Sequence, residues 1–129
     1  MPTIIDFCKR AYSLQGRARR IEYALWSIFA FVCFLVFYTL AWQPLFAVDA
    51  IDHSHLPRVV IGGIAFVLFA LVPHFCAAVR RHHDFGKSGT WALMFFIPLW
   101  GQIWALVITV IDTQPRDNRF GPNPKAKVT

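Results

Sequence analysis

Four groups of residues in this 129-residue chain have the types and spacing that chemistry requires. The densest is "RRHHDFGKSG", residues 80–89, which sets His83, Asp84 and Ser88 close together. These are the residue types of a hydrolytic triad, but a triad needs separate elements to fix its geometry, and one short loop rarely does so. The end of the stretch, "FGKSG", looks like the end of a phosphate-binding loop. That loop needs a glycine five positions before the Gly of Gly-Lys-Ser, and Arg81 stands there; it also needs a preceding strand, so nucleotide binding is rejected. His82 and His83 are adjacent, point ~100° apart on a helix, and cannot chelate one ion together.

The other three groups are weaker. Asp49, Asp52, His53 and His55 lie close enough to bind a metal in an extended loop, but short polar loops carry such residues by chance, and no metal or other cofactor is expected. Cys76, Arg80 and His83 share a helix face, where an arginine between two candidate ligands argues against a cation. His74 follows Pro73 inside an apolar run. An ionisable group there is a functional candidate by default; the plainer expectation is a neutral imidazole bonded to a carbonyl that Pro73 frees.

The elements that must position these residues are unusually apolar. Residues 24–42, 59–79 and 91–111 contain no Asp, Glu, Lys or Arg and run 19, 21 and 21 residues, in a chain that is 57% apolar. At ~1.5 Å per residue, about 20 residues cross a bilayer core of ~30 Å. Three such runs predict an all-α integral membrane protein rather than the buried helices of a soluble globule. The first run is longer than the apolar core of a cleaved signal peptide and is expected to stay as an anchor.

The formal net charge is +6, but the basic residues flank the apolar runs instead of forming a soluble basic face. That pattern suits anionic headgroups and the inside-positive bias, not nucleic acid. Cys33 and Cys76 lie within the runs and Cys8 in the basic N-terminal segment, so free thiols rather than a disulfide framework are expected.

Around the runs, residues 1–15 place Ile4, Phe7, Cys8, Ala11 and Tyr12 on one helical face, with Asp6, Lys9, Arg10 and Ser13 opposite. Thr3 and Asp6 have a capping-box-like spacing. A short basic amphipathic helix ahead of a span should lie along the headgroups. Pro57 suits the first turn of the second run, and Pro73 predicts a kink over 70–73. Pro98 and Gly101 fall near the middle of the third run, and residues 112–129 read as an extended polar tail.

Basic residues predict the orientation. Lys9, Arg10, Arg17, Arg19, Arg20, Arg80, Arg81 and Lys87 flank the first two runs on one side, against Arg58 in the intervening loop. If the third run makes one kinked crossing, the four basic residues of the tail join Arg58. If it dips in and returns at 98–101, twelve of the 13 share the cytoplasmic side. Twenty-one residues suit one crossing, and a lipid-exposed loop leaves backbone groups unpaired, so the kinked crossing is preferred over the re-entrant form.

Within this frame the opening stretch reads as a polar clasp at the membrane interface. Arg80 and Asp84 are four apart and can pair on a helix. Gly86 can end that helix, and Ser88 can cap the next. Asp84 can accept from Arg17 or Arg20, and Glu22 can meet Arg80 or Arg81. His83 and Lys87 complete the stretch, unpaired arginines would bind lipid phosphates, and Asn118 and Arg119 of the tail join only if it returns to the same side.

Three ordered motifs resemble those of a bacterial family of small inner-membrane proteins, domain of unknown function 805. The first comprises Gly16, Arg17, Arg20, Glu22 and Tyr23. The second comprises Arg80, Arg81, His83, Asp84, Gly86, Lys87, Ser88 and Gly89, and the third runs over 118–124 as "NRFGPNP". The chain departs from the pattern at Ala24, where the family usually has Trp, at His82, which replaces an apolar residue, and at Thr90. The resemblance implies a multi-pass bacterial inner-membrane protein, and no established activity, substrate or cofactor.

The expected protein is a single membrane domain: the interfacial helix 1–15, three hydrophobic helices, the third kinked or re-entrant at 98–101, and the tail. Its expected role is non-enzymatic: an accessory or scaffold protein whose clasp contacts anionic lipid, other membrane proteins or a second copy. The alternative is a component of an oligomeric small transporter or channel, with His74 and Gln102 lining its path.

Overall fold

The computed structural model describes residues 9–42 and 56–125. Among these the chain is helical, and the one extended pairing is an isolated bridge between Asn118 and Gly121. Helix α1 spans Arg20–Phe37 and runs on as a wider π turn over Tyr38–Trp42. Helix α2 is a continuous rod of 29 residues, Leu56–Asp84. A 3-10 helix over Gly89–Phe96 and helix α3 over Trp100–Val110 follow. Of the expected interfacial helix, residues 1–8 lie outside the described residues, and residues 9–11 are helical. The loop bearing Asp49, Asp52, His53 and His55 also lies outside them, as does Cys8.

Local chemistry sets the ends of these elements. Glu22 sits in the first turn of α1, where a carboxylate opposes the positive end of the helix dipole. In α2, Pro73 lacks an N–H and crowds the carbonyl four residues back. The helix absorbs this by widening: Val67–Leu71 is a π segment, and the Val72 N–H donates five residues back to the Val67 carbonyl. At its far end Gly86 takes φ +78°. The Gly86 N–H donates to the His83 carbonyl at 3.1 Å and the Lys87 N–H to the His82 carbonyl at 3.0 Å. That pair of bonds is a Schellman closure, which favours glycine at the left-handed position. Ser88 then caps the 3-10 helix, its Oγ accepting from the Thr90 N–H.

The third apolar run departs from the single kinked helix expected of it. Leu99, a non-glycine residue, adopts φ +63°, the Trp100 N–H turns back to the Pro98 carbonyl at 2.7 Å, and the chain reverses. The Trp91 and Trp104 rings, far apart in sequence, lie 5.8 Å apart. The two arms approach so closely at Gly101 that an added Cβ would stand 2.7 Å from the Phe95 carbonyl oxygen. Both ends of the hairpin lie at the Asp84 end of α2, where the Gln114 N–H donates to the Asp84 carbonyl at 3.3 Å.

The packed core is small and sits at this same end. Tyr23 of α1 lies fully buried against Ala77 and Ala78 of α2 and Ile108 of α3, with Trp26, Phe85, Phe95 and Trp104 around them. The two alanines give α1 a close approach, as small residues do between membrane helices. Tyr23 is the one residue of α1 buried within the chain. Apart from Trp26 at the core and Phe37 against Phe66, most of its large side chains are exposed, as suits a bundle whose solvent is lipid.

Candidate functional site

Three guanidinium groups are buried where the N-terminal segment, the end of α2 and the tail meet: Arg17, Arg80 and Arg81 are 5%, 1% and 0% exposed. Asp84, fully buried, lies between two of them. Arg17 Nε donates to Asp84 Oδ1 at 3.0 Å, and Arg81 Nη1 donates to Asp84 Oδ2. Each carboxylate oxygen therefore has its own cation, the arrangement that makes a buried charge tolerable.

The remaining donors of both arginines hold backbone. Arg17 Nη2 donates to the carbonyls of Asp84 at 3.2 Å and Gln114 at 2.8 Å. Its Nη1 reaches those of Arg116 at 2.9 Å and Gly121 at 3.3 Å. All five N–H donors of Arg17 thus have partners. Arg81 donates from Nε to the Ile108 carbonyl at 2.9 Å and from Nη2 to the Ile111 carbonyl. These are carbonyls at the end of α3 that its own helix leaves unpaired. Each arginine replaces water for a chain end that is closed away from solvent.

Arg80 pairs elsewhere. Its Nη1 donates to Glu22 Oε1 at 2.5 Å, and its own carbonyl accepts from the Ala18 N–H at 3.1 Å. Nε and Nη2 of Arg80 are buried without a protein partner. Glu22 also takes the exposed Arg10, whose Nη2 donates to Glu22 Oε2 at 3.0 Å and whose Nε donates to Oε1 at 3.3 Å. The expected i,i+4 pair of Arg80 with Asp84 is therefore not made. Asp84 takes Arg81, three residues back, because Arg80 faces α1 and Glu22. Arg20 does not reach Asp84 either; it meets the exposed Asp112 at 3.5 Å. Asp112 also accepts from the Lys125 ammonium, which holds its carboxyl below the ordinary carboxylate range.

The tail joins the clasp through Asn118. Asn118 Nδ2 donates to the His83 carbonyl at 2.9 Å, while its Oδ1 accepts from the Phe120 N–H at 3.0 Å. The His83 ring stacks flat on Phe120, centroids 3.9 Å apart and planes 4° from parallel, and its Nδ1 meets the Gly16 carbonyl at 3.2 Å. Arg119 instead lies over the Phe120 ring. Lys87 is exposed over Trp91, and Ser88 is committed to its cap.

Several participants have no place in the clasp as read from the sequence, His82 among them, although it departs from the family pattern. His82 is fully buried, and Trp104 Nε1 donates to its Nε2 at 2.8 Å. Indole is a donor only, so Nε2 carries no proton, and Nδ1 donates to the Ala78 carbonyl at 2.8 Å. Arg10, Gln114 and Phe120 are likewise unforeseen; Phe120 alone lay inside a quoted motif. His74 bonds the backbone of Trp26 on α1, rather than a carbonyl freed by Pro73, and its ring lies against Tyr23 and Phe95. Among the described residues no three His, Cys, Asp or Glu gather to hold a metal.

The sequence matches the family described as "Protein of unknown function (DUF805)" over residues 11–122. It is 33% identical over 129 residues to inner membrane protein YhaH of Escherichia coli strain K12, covering 97% of this chain and 98% of that one. It is 28% identical over 125 residues to inner membrane protein YhaI of the same strain, covering 97% of each. No solved structure matches it. With α1 and α2 long and apolar enough to cross a bilayer, and a match spanning all three polar segments of the clasp, the chain belongs to the DUF805 family of bacterial inner-membrane proteins.

Proposed function

We propose that the protein is a non-enzymatic accessory or scaffold protein of the inner membrane. Its clasp end contacts anionic lipid headgroups or an acidic face of another membrane protein. One observation carries the reading: Arg17, Arg81 and Asp84 of the buried clasp spend their polar groups on closing the fold, while Arg19, Arg20, Lys87, Arg116 and Arg119 stand exposed around it. Asp84 is sealed between two arginines and Ser88 caps a helix, so neither stands as a free base or nucleophile, while the His83 ring is held flat on Phe120 with Nδ1 at the Gly16 carbonyl.

The 3-10 helix and α3 are, in this reading, a re-entrant hairpin. Leu99 at its tip is 81% exposed and Phe96 71%, as suits side chains that meet lipid. The N-terminal segment, the α2–hairpin connection and the tail then share the cytoplasmic side, with twelve of the 13 basic residues. The test is thermal unfolding in nanodiscs of phosphatidylcholine with and without phosphatidylglycerol. Anionic lipid should raise the melting temperature, and salt or the Arg116→Gln/Arg119→Gln variant should remove the rise. Identical melting in both lipids would reject the lipid contact.

The second reading, a component of an oligomeric transporter or channel, draws on one feature. His74 Nδ1 is buried without a partner in the apolar layer. His74→Phe should abolish any conductance or uptake by the reconstituted protein if that reading holds, and leave folding and assembly intact if it does not.

A further inference from the structure

The hairpin supports α1 and α2 over only part of their length. Its deepest ring contacts on α2 are Phe95 with His74, at 6.2 Å between centroids, and Phe96 with Phe75, at 6.1 Å. From Asp84 to His74 is ten residues, ~15 Å along the helix, or half of a ~30 Å bilayer core. Beyond that level, among the described residues, the hairpin makes no ring contact with α2. There α1 and α2 are seamed by the stacked rings of Phe37 and Phe66, 5.8 Å apart and 10° from parallel, and from the N-terminal segment the Tyr12 hydroxyl donates to the Leu68 carbonyl at 2.9 Å.

Beside this seam lies a slot of about 500 Å³ walled by Val32, Cys33, Phe37, Gly62, Ala65 and Ala70. Its size is that of a small-molecule site. Its wall is almost wholly apolar, and Arg58, in the first turn of α2, lines its outer end. From Arg58 to Ala70 is twelve residues, ~18 Å, which matches one leaflet measured from the headgroup to the midplane. The slot therefore has the length of an acyl chain, the polarity of an acyl chain, and a cation at headgroup depth.

We propose that this slot is a lipid site in the leaflet opposite the clasp: one acyl chain of a glycerophospholipid lies along it, and the phosphodiester pairs with the Arg58 guanidinium. Guanidinium and phosphate match as a forked, charge-assisted pair. A second copy of the chain fits less well. A two-fold contact along the membrane normal would set both Arg58 side chains at the same depth against each other, with nothing among the slot's lining residues to neutralise them. The inference is independent of the clasp's role, since it uses a different end of the molecule.

Native mass spectrometry of detergent-purified protein, titrated with dioleoyl phosphatidylglycerol or with dioleoylglycerol, tests the site. In the Arg116→Gln/Arg119→Gln background, which removes exposed cations of the clasp end, the protein should still retain one phosphatidylglycerol and hold dioleoylglycerol far less well. The slot variants are compared in that background. Arg58→Gln, at an exposed position, should weaken phosphatidylglycerol binding about tenfold with melting unchanged. Ala65→Phe, which fills the slot, should abolish it. Retention of no lipid, equal retention of the phosphate-free lipid, or equal binding by Arg58→Gln would each overturn the proposal. So would a Cys33–Cys33 cross-linked dimer in the membrane that Ala65→Phe removes, which would give the slot to a second copy.

Discussion

Arg17 and Asp84, 67 positions apart in the chain, meet at 3.0 Å with side chains 2% and 0% exposed. The pair joins the segment before α1 to the last turn of α2, and Arg17 extends the junction to the tail through the carbonyls of Gln114, Arg116 and Gly121. The clasp thus holds Asp84 in a buried ionic unit with Arg17 and Arg81, beside which the buried Arg80 meets the part-buried Glu22.

Removing the carboxylate should be severe. Asp84→Asn leaves Arg17 and Arg81 buried beside a neutral amide, and breaking a buried pair from one side costs about 3–5 kcal/mol. We expect little folded protein in mild detergent by size-exclusion chromatography, and an early melt for what remains. A variant that melts with the wild type would show that the pair is incidental.

Gly101→Ala separates the hairpin from a straight helix by the sign of its effect. In a continuous helix, alanine is more favourable than glycine by about 1 kcal/mol. In the hairpin the new Cβ would meet the Phe95 carbonyl oxygen at 2.7 Å and Phe95 Cα at 2.8 Å, both backbone atoms that cannot swing away. The substitution should therefore destabilise, by about 1–3 kcal/mol if overpacking there follows other close-packed sites. Chemical unfolding in detergent measures the sign directly.

Asn118→Ala should free the tail without unfolding the helices. It removes the bond to the His83 carbonyl and the acceptor for the Phe120 N–H. Trypsin should then cut faster after the exposed Arg116 and Arg119 while the melting temperature changes little. Unchanged cleavage would show that Arg17 and the stack of Phe120 on His83 hold the tail without Asn118.

Much of the clasp was legible from residue types, because charges stranded beside apolar runs have few places to go. Arg17 with Asp84, Glu22 with Arg80, the Gly86 ending and the Ser88 cap all follow from that. Which arginine takes Asp84 was not legible. Positions three and four residues away are both in reach on a helix, and the choice is made by what lies across from each: Glu22 for Arg80, the carbonyls of Ile108 and Ile111 for Arg81.

The reversal in the third run was hidden for a different reason. Hydropathy does not record direction, and Leu99 at the centre of a γ-turn, with φ +63° and ψ −51°, leaves no mark in the sequence. Pro98 and Gly101 marked the place, and the count of basic residues favoured a return, but the length of the run argued for crossing. The arginine capping of the α3 carbonyls is what lets this chain end close against α2 away from water.

The most direct test is the side of the membrane on which the tail lies. Thr129→Cys, in a background with Cys8, Cys33 and Cys76 replaced by alanine, can be probed in intact cells with a membrane-impermeant maleimide and compared with a cysteine at position 2. The returning hairpin predicts that both sites are shielded in intact cells and labelled only after lysis. Labelling of Thr129→Cys from outside, with position 2 protected, would mean that the third run crosses the membrane and that the clasp does not hold the tail.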